Sequence, residues 1–218
     1  MSRNTMGASA ISQPGPGSSP AAGSLHGGRM PFTSSARGAA LGVAVLIALA
    51  VVAIVLHFTV DGPFGALNDW LNAAVGVASA VLATVVAVGS PDTVDRLSAP
   101  LGVGGGAVMA YGSSLVITDE AGWFQAGVVS GVGAGLVGVW LLALNRAGPG
   151  GDPPSAGVAR LGRLAGGFMA LGLLGLPGWV SGVDDWAAAP WYVQAGMVGW
   201  LGTYALYPAW CWRVSRLR

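Results

Sequence analysis

His57 and Asp61 stand four residues apart, and Asn68, Asp69 and Asn72 follow across a short Gly62-Pro63 turn. An imidazole and carboxylates so close together can ligate a cation, and amides beside them can hydrogen-bond a polar solute. Gln125 and Gln194 open two later apolar runs and fall at a similar depth. If Asn72, Gln125 and Gln194 all face inward, they form a ring of amides beneath an acidic vestibule. The plainer alternative is that the acids follow membrane topology while the amides tie helix ends together. Carboxylates alone at a surface do not define a metal site, so no metal is assigned. A fainter candidate is Tyr111-Gly112-Ser113-Ser114 inside the third run, against the alternative of ordinary satisfied core groups.

Other chemistries lack their residues. The single cysteine, Cys211, excludes an internal disulfide and a CxxC pair. At the edge of an apolar run it reads as an inert buried thiol. His26 and His57 cannot supply paired axial ligands to a buried haem. No HExxH and no GxSxG motif occurs. The central part of every apolar run is free of Asp, Glu, Lys, Arg and His, which argues against a proton pump, a voltage sensor and most ion-coupled transporters. No catalytic residue and no cofactor are expected.

The elements that must position these side chains are membrane helices. Of 218 residues, 53% are hydrophobic and 9% charged, against about 25% charged in a soluble domain. Such a chain cannot cover a water-facing surface in the usual way, and its 37 glycines suit closely packed membrane helices. Residues 1–36, rich in Gly, Ser, Pro and Ala, read as a disordered tail, with Met30 as an alternative start. The first apolar run lies too deep in the chain, and is too long, for an ordinary cleaved signal peptide.

Residues 37–218 then carry six apolar runs, at 39–58, 70–88, 101–118, 122–144, 161–180 and 191–212. Each is near the roughly 20 residues that span a bilayer core. Their unbroken apolar character excludes a β-barrel, whose strands alternate. Pro63, Pro91, Pro100, Pro149, Pro153, Pro154 and Pro190 fall where runs begin or end, whereas Pro177 and Pro208 predict kinks. The expected fold is all-α: a polytopic bundle of six transmembrane helices, built as tandem hairpins.

Charge placement supports that count. The ten basic residues are all Arg, a pattern that fits a high-GC bacterial genome, and all fall on one side of the six-run topology. Asp61, Asp69, Asp119, Glu120, Asp184 and Asp185 fall on the other side, with no base among them. The positive-inside rule puts the Arg side, and both termini, in the cytoplasm. Trp70, Trp123, Trp179, Trp186 and Trp191 would anchor the outer interface, with Tyr207, Trp210 and Trp212 at the inner one. The net charge of +1 implies no nucleic-acid partner.

A repeat underlies the runs. Leu101-Gly102, Gly106 and Met109-Ala110-x-Gly112 match Leu161-Gly162, Gly166 and Met169-Ala170-x-Gly172. Gln125-Ala126-Gly127-x-Val129 matches Gln194-Ala195-Gly196-x-Val198, and Gly133 matches Gly202. The second run joins less clearly, so a twofold and a threefold repeat both stay open. Gly127, Gly131 and Gly135 form one small-residue stripe, and Gly162, Gly166 and Ala170 another. Four-residue spacing puts each stripe on one helix face, where backbones can approach. The partner helix is expected within the chain, with a protein partner or second copy as the alternative, and the lipid bilayer is the remaining partner.

Three stretches carry a family resemblance: Gly62-Pro63-Phe64-Gly65-Ala66-Leu67-Asn68-Asp69, Gly138-Val139-Trp140-Leu141-Leu142-Ala143-Leu144-Asn145-Arg146, and the segment Gly199-Trp200-Leu201-Gly202-Thr203-Tyr204-Ala205-Leu206-Tyr207-Pro208-Ala209-Trp210-Cys211. Together they resemble uncharacterised six-span membrane proteins of actinobacteria and related bacteria, over residues 40–218. The resemblance implies the six-span topology and no particular activity. The leading expectation is a non-enzymatic accessory, structural or interaction protein of the bacterial inner membrane. A small channel or facilitator for a weakly polar solute comes second. A lipid-acting membrane enzyme comes last, for want of an acid–base or nucleophile pair.

Overall fold

A computed structural model describes residues 32–60, 62–90, 92–146 and 156–217. Expectations for residues 1–31, Asp61, Pro91, Pro149, Pro153 and Pro154 lie outside the described residues. The described residues are all-α, with no strand among them. Five helical stretches among them are long and apolar enough to cross a membrane, and the chain is a helix bundle of membrane type.

Four of the five are single helices: α1 (Ser34–Thr59), α2 (Phe64–Gly89), α3 (Thr93–Ile117) and α4 (Trp123–Leu144). Polar residues ahead of the apolar runs start them. The Thr33 hydroxyl accepts from the Ala36 amide at 3.2 Å, and Asp92 Oδ1 accepts from the Val94 amide at 2.8 Å, each satisfying an orphan first-turn donor. Pro63 supplies the N-cap of α2. Two expectations are corrected here. Helix α1 begins at Ser34, inside the stretch read as tail, because Thr33 caps it. Pro100 lies within α3 and does not mark its start, because the Asp92 cap initiates the helix two turns earlier.

The fifth run is α5 (Ala156–Ala170), a 3₁₀ turn (Leu171–Gly175) and α6 (Leu176–Val180). Pro177 explains the tightening. It has no N–H to serve the Leu173 carbonyl four residues back, and the Leu176 amide serves that carbonyl with a three-residue reach. The sixth run divides into α7 (Trp191–Gly196), α8 (Gly199–Leu201), a π turn (Gly202–Leu206) and α9 (Tyr207–Ser215). Pro208 explains the widening, since it cannot donate to the Tyr204 carbonyl and crowds it. The Tyr207 amide reaches back five residues to Gly202. Met197, Val198, Gly202 and Tyr207 keep right-handed helical dihedrals, so the backbone winds on through these changes of pitch.

Consecutive helices pack on one another, and the sixth run returns against α5 and α1. Helix α4 is central: 67% of its apolar window is buried, against 33–39% for the other four. Glycine lets the backbones touch. A Cβ on Gly76 would lie 2.6 Å from the Gly106 carbonyl and the Ala110 amide, and one on Gly138 2.7 Å from the Gly166 carbonyl and the Ala170 amide. Likewise a Cβ on Gly133 would lie 2.5 Å from the Met109 amide, and one on Gly202 2.7 Å from the Met169 amide. Equivalent residues of the two matching motifs thus make equivalent contacts with the helices before and after them. Both glycine stripes are used within the chain. Gly127 meets Trp200, Gly135 meets Leu173, and Gly162 and Gly166 meet Asn145 and Gly138.

The main core gathers Ile47, Leu82, Trp140, Leu141, Met169, Tyr207, Trp210 and Cys211. Tyr207 and Trp210 were expected as interfacial anchors; the structure buries both completely and leaves Trp212 exposed. Their rings stack on each other at 6.2 Å, and Trp210 meets Trp140 and Phe32 edge-on.

Candidate functional site

The helices bring the polar candidates to one end of the bundle, in two groups. The first sits on the α1–α2 hairpin. His57, in the last turn of α1, lies over Gly65, where a Cβ would come within 3.1 Å of its ring. Asp69 interacts electrostatically with His57 across the hairpin. Asn72, one turn deeper on α2, accepts a 3.0 Å hydrogen bond on Oδ1 from the Tyr204 hydroxyl. The hairpin itself unites these residues, since a tight turn sets the two helix ends side by side.

The second group surrounds residues 181–190, between α6 and α7. Asp184 Oδ1 accepts from the Gln125 amide at 2.9 Å, and Oδ2 from the Gly122 amide at 3.2 Å. Gly122, the N-cap of α4, has no side chain to cap its helix, so a carboxylate from another part of the chain supplies the cap. Gln194 Nε2 donates to the Trp186 and Ala189 carbonyls, both at 3.1 Å. Two of the three amides proposed as a ring take separate partners, Asn72 the Tyr204 hydroxyl and Gln194 its own loop, while at Gln125 it is the backbone N–H that bonds Asp184. Among the described residues no group of three or more His, Cys, Asp and Glu could hold a metal ion.

The Tyr111 stretch is divided as well. Tyr111 is 51% exposed on the bundle's flank, while Ser114 Oγ donates to the Tyr111 carbonyl at 2.7 Å. Cys211 is fully buried.

Two polar features were missed in the sequence. The sixth run carries a thread of side-chain hydrogen bonds through the core. Below Tyr204 and Asn72, the Tyr207 hydroxyl lies 3.3 Å from Ser79 Oγ, and Trp210 Nε1 donates to Asn145 Oδ1 at 3.3 Å. Trp140 Nε1 is the one buried side-chain polar atom among the described residues without a partner. Tyrosines spaced three apart, opposite Asn and Ser, were the available signal for the thread.

The second missed feature is an ion-pair cluster at the Arg-rich end. Arg146 Nη2 donates to both oxygens of Asp92 at 2.8 Å, and Nη1 to Asp95 Oδ1 at 3.1 Å and to the Ala143 carbonyl at 2.6 Å. Ser90 Oγ donates to Asp95 Oδ2 at 2.8 Å, which lets a carboxylate only 3% exposed remain satisfied. Burial opposes the charge on Asp92, but hydrogen bonds from the Val94 amide and Arg146, with the Arg146 charge, outweigh it and hold its pKa below the ordinary carboxylate value. The Asp-x-x-Asp spacing just ahead of the third run was the signal here. The cluster clamps the α3 N-terminus to the α4 C-terminus.

No protein family, curated protein or solved structure matches the chain.

Proposed function

We propose that the chain is a six-span integral protein of the bacterial inner membrane, with both termini cytoplasmic, serving as a non-enzymatic accessory or scaffold subunit. The fate of the groups a conduit would need carries this reading. Asn72 and Gln194 are engaged by Tyr204 and by the 181–190 loop, and Tyr111 is turned to the flank. The interior is closed backbone to backbone at Gly105, Gly133, Gly138 and Gly166. The unbroken helical winding of residues 191–215 supports the sixth span, and the Arg-rich end supports the cytoplasmic side.

The test is made on purified chain in proteoliposomes. Their permeability to glycerol and urea, read by stopped-flow light scattering, is expected to equal that of empty vesicles, and a faster shrinkage–swelling response overturns the accessory reading. In native membranes the chain is expected to migrate on non-denaturing gels in a complex larger than itself, and a monomer there also overturns it. A C-terminal reporter fusion should read cytoplasmic, and a periplasmic signal would refute the topology.

A further inference from the structure

We propose that residues 176–196 form a hinged lid at the acidic end of the bundle, latched onto α4 by Asp184. The hinge runs across both arms at one level. In the first arm the Leu171–Gly175 turn is tightened to three-residue hydrogen bonds. In the second, the Val198, Trp200 and Leu201 amides bond three residues back, to Ala195, Met197 and Val198, at 3.0–3.1 Å. Such bonds have poorer geometry than those of an α-helix, and tightened turns inside long helices mark hinges. The two tightened stretches lie against each other through glycine. A Cβ on Gly199 would fall 3.0 Å from the Gly172 amide, and one on Gly196 3.2 Å from the Gly175 amide. Backbone is the nearest neighbour at both glycines, with the Leu174 Cβ next at 3.5 Å from a Cβ on Gly196, so few side chains interlock across the seam and one arm can turn on the other.

Beyond the hinge the segment is braced as a unit. Helix α6 ends with Val183 bonding back to the Gly178 carbonyl and Gly182 to Trp179, with Gly182 at φ +67°, the left-handed closing turn that glycine adopts without strain. Gln194 staples the returning strand of the loop at two carbonyls, and Asp185 Oδ1 accepts from the Ala187 amide at 2.9 Å. The underside has its own small core. Ala189 and Val193, backed by Trp179 and Val183, rest on Phe124 and Val128 of α4, apart from the main cluster. Trp186 meets Phe124 edge-on at 5.8 Å. Opening exposes an apolar slot lined by Phe124, Val128 and Val193 and uncovers the first amides of α4. The latch is the Asp184 carboxylate on those amides, held by two hydrogen bonds and favoured by the positive end of the helix dipole.

The lid does not depend on the accessory role. It is tested by hydrogen–deuterium exchange of the full chain in lipid nanodiscs. Asp184→Ala is expected to speed exchange of residues 181–196 and of the first turn of α4 by about fivefold, the size of a lost helix cap, with α1–α3 unchanged. Asp184→Asn, which keeps one acceptor oxygen, should fall between. Pro177→Ala restores the missing donor, stiffens the hinge and should slow lid exchange about threefold, as one backbone hydrogen bond allows. Unchanged exchange in Asp184→Ala, a uniform rise across α1–α4, or wild-type lid exchange in Pro177→Ala each overturns the proposal.

Discussion

Trp210 and Asn145 meet at the Arg-rich end with their side chains almost wholly buried, the indole N–H donating to the amide oxygen at 3.3 Å. The same asparagine donates Nδ2 to the Leu141 carbonyl at 2.9 Å, and its own carbonyl accepts from Arg163 Nη1 at 3.2 Å. One residue beyond the end of α4 therefore holds its own helix, α5 and α9 together. In this buried position a broken bond strands a donor away from water.

Asn145→Leu should lower the unfolding midpoint in detergent, by an amount corresponding to roughly 1–3 kcal/mol for an orphaned buried donor. Trp210→Phe removes that donor, so the double variant should lose less than the sum of the single changes. A double-mutant cycle reads the coupling directly. A coupling near zero would show that the hydrogen bond holds nothing.

Glycines that look alike in the sequence should respond in opposite ways. A methyl on Gly133 meets the Met109 amide at 2.5 Å and the Gly105 carbonyl at 2.6 Å, and backbone cannot step aside. Gly133→Ala should therefore force α3 and α4 apart and cost about 1–3 kcal/mol. At Gly104 a methyl meets nothing within 4 Å. Gly104→Ala should be neutral or stabilising by up to about 1 kcal/mol, through helix propensity alone. Thermal unfolding of the two variants, measured side by side, decides the point.

The Arg146 clamp predicts an acid-side loss of stability with a definite sign. Asp92 has a folded-state pKa below its unfolded value. Its contribution is therefore complete above the ordinary carboxylate value, about 4, and disappears as pH falls from there through the folded value. The wild-type unfolding midpoint should stay level from neutral pH to that point and then drop. Asp92→Asn should begin lower and show a shallower acid-side fall. Parallel titrations of equal steepness would mean that Asp92 does not carry the dependence.

The apolar runs made the five long helices legible, because hydropathy reports what a bilayer core accepts. Helix starts were less legible. Thr33 and Asp92 initiate through polar side chains that hydropathy does not weigh, and so Pro100 looked like a boundary. Pro177 and Pro208 announced irregularity, but the choice between tightening and widening depends on which amide reaches the deserted carbonyl. His57, Asn68 and Asp69 could be grouped from sequence because one hairpin holds them. Asn72 bonds Tyr204 from a distant segment, whereas Gln194 bonds within its own loop, so equal depth in the sequence does not decide which partner each amide takes. The Asp92–Asp95–Arg146 cluster is not legible from charge segregation, because these two acids lie on the Arg side and meet Arg146 only through the packing of α3 on α4.

The π turn at Gly202–Leu206 should be what aims Tyr204 at Asn72. A π turn takes an extra residue into one turn, so side chains before it are rotated by about 100° relative to those after it, compared with a regular helix. Tyr207 and Trp210, after the turn, are fixed by the main core. Tyr204 lies within the turn, and its hydroxyl reaches Asn72 Oδ1 at 3.0 Å in that phase. Pro208→Ala returns a donor to the Tyr204 carbonyl and removes the crowding that favours the wider turn. The segment should then close to a regular α-helix and swing Tyr204 off α2. In the wild type, Tyr204→Phe should cost about 1 kcal/mol, the net value of one hydrogen bond. In the Pro208→Ala background the same change should cost nothing, because the bond is already gone. Equal costs in both backgrounds would show that Tyr204 reaches Asn72 without the π turn, and the proline would then be a tolerated break with no part in placing it.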